Sequence, residues 1–262
     1  MSETPLDTAR EAAIGAGEIL RRRFRQHRPL GVEAKSVHDF VTDVDREAEA
    51  AIVELLRGRF PEDAIMAEEG APDEVRQGRR WIVDPLDGTT NFIQGVPVFS
   101  VSIALEDDDG LRTAVVHDPV HDETFHAERG RGAFLDGRPI ACATRRSLER
   151  CVLATGLPFR EFARLDPYLR SLRAFMTRTS GIRRAGSAAL DLAFTACGRY
   201  DGFWETGLSP WDVAAGALLV SEAGGTVSDF TGEDRYLDRG EIVAAGAGVH
   251  PLMLQVTREC FG

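Results

Sequence analysis

The spacing of apolar positions changes period several times along the chain. Behind Thr4-Pro5, a cap followed by proline at the first helical position, Leu6, Ala9, Ala13, Ala16, Leu20 and Phe24 recur at helical spacing and predict a first helix of about five turns. A second helix is expected from Thr42-Asp43, with Val44, Ala48, Ala51, Ile52, Leu55 and Leu56 on one face and an end at Gly58 ahead of Pro61. Two short apolar runs of strand type follow, Ala64 to Ala67 and Trp81 to Val83. Each runs directly into acidic residues, so the acids are expected at strand ends. Ser100 to Leu105, Arg112 to Val116 and Glu123 to Ala127 read as a meander, and Gly130 to Gly137 as a further hairpin.

From Cys151 strands and helices alternate. Strands are expected at Val152 to Ala154, Ile182 to Arg184 and Tyr200 to Trp204, and helices over Pro167 to Met176, Ser187 to Cys197 and from Pro210 to the Gly224-Gly225 pair. Such alternation predicts an α/β second half, and two stacked sheets with intervening helices fit the whole order. There is no internal repeat, low-complexity tract or clear linker. A boundary near residue 145 is therefore soft: 1–145 reads as helices plus an antiparallel sheet, 146–262 as the α/β half.

Composition narrows the classes. The chain of 262 residues is 43% hydrophobic, and no run approaches the ~18 apolar residues of a membrane span. Met1 to Arg10 is polar and acidic where a signal peptide would be basic and then apolar, so a soluble, cytoplasmic protein is expected. Cys142, Cys151, Cys197 and Cys260 stand far apart and read as reduced thiols. A net charge of -11 argues against a surface built for nucleic-acid phosphates, and the basic stretch Arg21 to Arg28 reads as a solvated helix end. Among 31 Lys and Arg residues, Lys35 is the single lysine.

The chemistry concentrates in Asp84-Pro85-Leu86-Asp87-Gly88-Thr89-Thr90-Asn91, where an apolar strand delivers two carboxylates to one loop. Small residues with backbone N–H groups and hydroxyls follow at once, as at helix ends that bind anions. Carboxylates held so close repel unless a cation sits between them, and a hard divalent ion such as Mg²⁺ answers that need. An acidic turn capping a helix is the plainer alternative for the pair by itself. Glu68-Glu69 after its own strand and Trp211-Asp212 at a helix start add further acids from distant segments.

With these motifs in order, the chain resembles the inositol monophosphatase family over nearly its full length. Lys35-Ser36 with Asp39 to Asp45 looks like the family's N-terminal motif, and Ala67-Glu68-Glu69 resembles its Gly-Glu-Glu motif with alanine for glycine. Asp84 to Phe92 matches the first signature, and Trp211 to Gly216 through Glu222 to Gly225 the second. The resemblance implies a single catalytic unit over 1–262 with an αβαβα sandwich fold, usually a homodimer, and hydrolysis of a small phosphate monoester by a metal-activated water. It implies metal ligation by Glu68, Asp84, the carbonyl of Leu86, Asp87 and Asp212 around two or three Mg²⁺. Glu68 and Thr89 would orient or deprotonate the water, with Asp87 among the catalytic residues. Gly88, Thr89 and Thr90 would cradle the phosphate; Gly186, Ser187, Ala188 and Glu205 would contact the alcohol, with Asp87 and Asp212 beside it. Lys35 and Asp45 would lie just outside the metal ligands, although Asp45 also reads as a helix-capping carboxylate. His38, His117, His121 and His126 match no catalytic motif, and Trp81 and Trp211 are expected to pack beneath the site.

Inositol 1-phosphate is the expected substrate, a phosphorylated polyol suited to Glu205. Histidinol phosphate, fructose 1,6-bisphosphate and 3'-phosphonucleotides are the alternatives within the fold. Lithium inhibition is a family trait. Some bacterial relatives also associate with the transcription machinery, so a partner-binding role on RNA polymerase is the alternative of another class.

Overall fold

The computed structural model describes residues 4–26, 32–36, 39–70, 78–159 and 162–262, with residues 32–36 and 39–41 described by their backbone. In chain order these form α1 (Pro5–Gln26), β1 (Val32–Ser36), β2 (Asp39–Thr42), α2 (Asp43–Arg59), β3 (Ala64–Ala67), β4 (Arg80–Asp87) and α3 (Thr89–Gln94). A run of strands follows: β5 (Ser100–Asp107), β6 (Gly110–Asp118), β7 (Glu123–Glu128), β8 (Ala133–Leu135) and β9 (Arg138–Pro139). The second half contains β10 (Val152–Thr155), α4 (Leu165–Met176), β11 (Gly181–Arg183), α5 (Ala188–Ala196), β12 (Gly202–Thr206) and α6 (Pro210–Glu222). It closes with β13 (Gly225–Ser228), α7 (Tyr236–Arg239), β14 (Glu241–Gly246) and α8 (His250–Phe261).

Strands β3 to β9 make one sheet in sequence order, antiparallel except for the β3–β4 pair. The second sheet runs β11-β10-β12-β14-β13, parallel among its first three strands and antiparallel beyond. Helices α1 and α2 pack on the outer face of the first sheet, α5 and α6 fill the space between the sheets, and α4 and α8 cover the second sheet. The layers are thus αβαβα.

Strand alternation explains the stacking. On β4, Trp81 and Val83 join the core under α1 and α2, while Ile82 joins the core around α5 and α6. Both faces of the sheet are covered, so β4 and β5 are buried along nearly their whole length. Trp81 is fully buried and its indole N–H donates to Asp63 at 3.1 Å. Between the sheets, Ala188 to Ala196 and Val213 to Val220 are buried almost throughout, which suits a central layer.

Several elements differ from the sequence reading. The acids were expected after a strand ending at Val83, yet β4 continues to Asp87, with its register against β5 irregular between Asp84 and Asp87. Proline at 85 has no N–H for the ladder, and the N–H of Leu86 donates to Asp84 at 2.9 Å instead of to β5. The β1–β2 hairpin, α3 and everything beyond Gly225 were not anticipated. The hairpin strands, α3, β13 and α7 are short, β14 is a continuous apolar run whose type is set by neighbouring strands, and α8 is a 12-residue helix whose proline start the sequence reading passed over.

Candidate active site

Three separate segments bring acids to one cleft. Asp84 is two residues beyond Ile82 on β4 and so faces the middle layer; it is 1% exposed. Asp87 ends the strand. Asp212 sits in the first turn of α6, where it completes a capping box: the N–H of Ser209 donates to its Oδ2 at 2.7 Å. One carboxylate oxygen from each of Asp84, Asp87 and Asp212 lies within 4.8 Å of the others. Glu68 follows β3 and lines the same cleft, and the neighbouring Glu69 N–H is held by Glu49 of α2 at 2.8 Å.

Asp87 is tied across the molecule. Its Oδ2 accepts from Ser187 Oγ at 2.6 Å and from the N–H of Ala189 at 2.7 Å, which fixes it against the N-terminus of α5. Ser187 also caps that helix, accepting from the N–H of Leu190 at 3.3 Å, and stands 3.1 Å from Ser100 Oγ. Since Ser187 gives its one proton to Asp87, Ser100 donates to Ser187.

Asp45 has two sets of partners. Its Oδ2 accepts from the N–H of Thr42 at 3.0 Å and from the Thr42 hydroxyl, as the capping box of α2. Its Oδ1 faces Thr89, whose hydroxyl lies 3.1 Å away and also 3.0 Å from the Leu86 carbonyl. Gly88, at the start of α3, has φ of 100°, and a Cβ there would stand 3.0 Å from the Val98 carbonyl and 3.2 Å from that of Gly186. Only glycine suits both the conformation and the space. Asn91 closes the loop by donating to the carbonyls of Val98 at 2.8 Å and Ala185 at 2.9 Å.

The electrostatics are those of a site short of positive charge. Burial, followed by the charges of Glu68, Asp87 and Asp212, pushes the carboxyl of Asp84 well above its ordinary range. Burial also raises Asp45, partly offset by its bonds from Thr42 and Thr89. A donor set made of carboxylates, with a main-chain carbonyl adjacent, matches the oxygen preference of a hard divalent cation. These residues fit such an ion.

The cleft holds about 180 Å³, and Gly88, Thr89, Thr90, Gly186, Ser187, Ala188 and Glu205 line it together with the acids. Lys35 falls in β1, whose side chains are outside the described residues, as is all of His38. His117 and His126 are strand residues held below their usual range chiefly by burial, and His121 bonds Asp118 at 2.7 Å. Trp211 packs against the core between the sheets. Sequence reasoning missed Thr155, Gly156, Phe159 and Asp191 in the cleft. The one available signal was an aspartate inside the otherwise apolar helical run of α5.

Residues 2–260 match the pattern of the Inositol monophosphatase family. The chain belongs to this family. Among its relatives, a protein of Pseudomonas aeruginosa named Nus factor SuhB is 53% identical over 244 residues, covering 91% of this chain and 90% of that protein. The crystal structure of extragenic suppressor protein suhB from Bartonella henselae superposes with a TM-score of 0.93 at 42% identity, covering 97% of this chain and 98% of the other. An inositol monophosphatase from Anabaena (Nostoc) gives 0.86 at 36% identity, covering 97% and 95%. The family fold and the αβαβα layering agree. Among the described residues no helix is long and apolar enough to cross a membrane.

Proposed function

We propose that this chain is a cytoplasmic, Mg²⁺-dependent phosphatase of small phosphate monoesters, with inositol 1-phosphate as the substrate, and that the whole chain is its catalytic unit. The observation that carries this reading is the meeting of Asp84, Asp87 and Asp212 within 4.8 Å in the cleft. Glu68, Asp84, the Leu86 carbonyl, Asp87 and Asp212 would hold two or three Mg²⁺. When bound, the metal supplies Lewis-acid charge to the phosphoryl oxygens and acidifies a water.

The remaining work belongs to the chain. A Thr89 hydroxyl that donates to Asp45 turns its lone pairs outward, so it can accept from the attacking water and pass a proton towards Asp45. Glu68, which lines the same cleft, orients the same water. Backbone N–H groups of Gly88 and Thr89 and the hydroxyl of Thr90 receive phosphate oxygens. Glu205 accepts from a hydroxyl of the alcohol, with Gly186 and Ala188 shaping the pocket beside it. Ser187 acts through Asp87, to which its hydroxyl is committed.

Phosphate release from inositol 1-phosphate, histidinol phosphate, fructose 1,6-bisphosphate and a 3'-phosphonucleotide, with and without Mg²⁺, tests the reading. Inositol 1-phosphate should give the highest kcat/KM; a preference of more than about tenfold for another ester overturns the substrate. Unchanged activity in Asp87→Asn overturns the metal assignment. Inhibition by millimolar LiCl at fixed Mg²⁺ is expected.

The name Nus factor borne by a relative 53% identical supports a second reading, a partner-binding role on the transcription machinery. Pull-down with RNA polymerase tests it, and Asp87→Asn should separate binding from phosphatase activity. The chain is expected to be a homodimer, which light scattering measures.

A further inference from the structure

Asp191 stands out among buried groups that this reading leaves unused. It lies on α5, is 1% exposed, and lines the cleft. Its Oδ1 is buried and has no hydrogen-bond partner. A buried carboxyl oxygen without a partner carries a desolvation cost that native structures rarely leave uncompensated, and a compensating group therefore belongs in the open space beside it.

The neighbouring strand shows what that group is. On β12, Phe203 joins the core around α5 and Trp204 the outer core, so alternation puts Glu205 on the face of Phe203, towards α5. Glu205 lies close enough to Gly156 that a Cβ there would meet its carboxylate at 1.7 Å. Two acids thus face one small volume, with Arg184 on the rim, its guanidinium 5.4 Å from the Phe159 ring. Apolar chemistry would waste both carboxyls, and a phosphate would be repelled by them. A ligand part carrying several hydroxyls matches both.

Resting on the phosphatase reading, we propose that Asp191 is a specificity-determining residue whose Oδ1 hydrogen-bonds a hydroxyl on the alcohol half of the ester, next to the hydroxyl taken by Glu205. Burial, followed by the charges of Glu205 and Asp87, holds the Asp191 carboxyl well above its ordinary range, against the opposing pull of Arg184. The two acids then divide the work: the raised Asp191 carboxyl favours its donor form, and Glu205 accepts. Adjacent hydroxyls, each donor and acceptor, satisfy both.

The test compares myo-inositol 1-phosphate with cyclohexyl phosphate, which keeps the ring and lacks the hydroxyls. Purified full chain with saturating Mg²⁺ is measured as wild type, Asp191→Leu and Asp191→Asn. The ratio of the two kcat/KM values should fall at least about tenfold in Asp191→Leu and stay within about threefold in Asp191→Asn, which keeps a donor. If Asp191→Leu does not fold, a ratio in Asp191→Ala that equals that of wild type overturns the assignment. Equal loss on both esters, or no loss, also overturns it and leaves Asp191 a structural acid. Failure of the underlying reading looks different: wild type itself would prefer no polyol ester, and the assignment would fall with it.

Discussion

Replacing Asp84 by asparagine separates the charge of this side chain from its shape. Asparagine keeps an oxygen for the Leu86 N–H, which bonds Asp84 at 2.9 Å, and nearly the same volume. What it removes is repulsion. Two unit charges within 4.8 Å repel by at least about 3.5 kcal/mol at an effective dielectric of about 20, and Asp84 faces two such neighbours. Full ionisation would therefore cost Asp84 about 7 kcal/mol. The carboxyl has a cheaper escape, because taking up a proton at pH 7 against an ordinary value of 3.8 costs about 4.4 kcal/mol at 1.36 per unit. The smaller figure caps the penalty, so Asp84→Asn should stabilise the metal-free protein by about 1–4 kcal/mol at neutral pH.

The pH dependence has a definite sign. The folded-state pKa of Asp84 is raised, so the folded protein binds this proton more tightly than the unfolded chain. Stability from this group is complete below the unfolded value of 3.8 and is lost as pH rises towards the raised folded value. The advantage of Asp84→Asn should accordingly be absent near pH 4 and grow towards pH 7. Magnesium acts in the opposite direction, since an ion bound to the folded state at a hundred times its Kd adds about 2.7 kcal/mol, and the variant should lose most of that. Urea unfolding followed by tryptophan fluorescence, in EDTA and in millimolar MgCl₂, measures each term. A variant no more stable than wild type in EDTA at neutral pH, or one that Mg²⁺ stabilises as much as wild type, refutes the reasoning.

Three further substitutions probe other parts of the cleft. In Gly156→Ala the new Cβ would stand 1.7 Å from Glu205 Oε1, so the flexible carboxylate must swing away; kcat/KM for inositol 1-phosphate should fall about tenfold while the melting temperature moves little. Ser187→Ala removes the cap of α5 and the bond to Asp87, and should cost about 1–2 kcal/mol in urea unfolding together with a higher Mg²⁺ requirement for activity. Thr89→Ala should lower kcat by about 100-fold with KM nearly unchanged, and Thr89→Ser should restore most of it. A loss confined to KM would remove Thr89 from the proton path.

The sequence was most legible where periodicity and capping agree. Thr42 followed by Asp45 marks the start of α2, and Ser209-Pro210 with Asp212 marks that of α6; both capping boxes form. Local pattern could not show that Asp45 has a second partner, because its Oδ1 reaches Thr89 across 44 positions of chain. It also could not place Asp84 inside a strand, since the break in the ladder depends on where the Leu86 N–H goes. Asp191 was hidden for the opposite reason. Its neighbours spell a buried helix, and only the cleft formed with β12 reveals that one oxygen has no partner.

Helix ends alone do not balance the charge that this fold collects. The N-termini of α5 and α6 both point into the cleft, one through the Ala189 N–H to Asp87 and the other through the Ser209 N–H to Asp212. Each such end stabilises a nearby carboxylate by about 0.3–1 kcal/mol, up to about 2 when partly buried. Against at least about 3.5 kcal/mol of repulsion per carboxylate pair, two ends fall short, and Asp84 has neither. Its one backbone bond, from Leu86, lowers its carboxyl less than burial and three acids raise it. The middle layer thus brings the carboxylates together but leaves a deficit of positive charge at Asp84, and a divalent cation shared among these oxygens is the group whose charge matches that deficit.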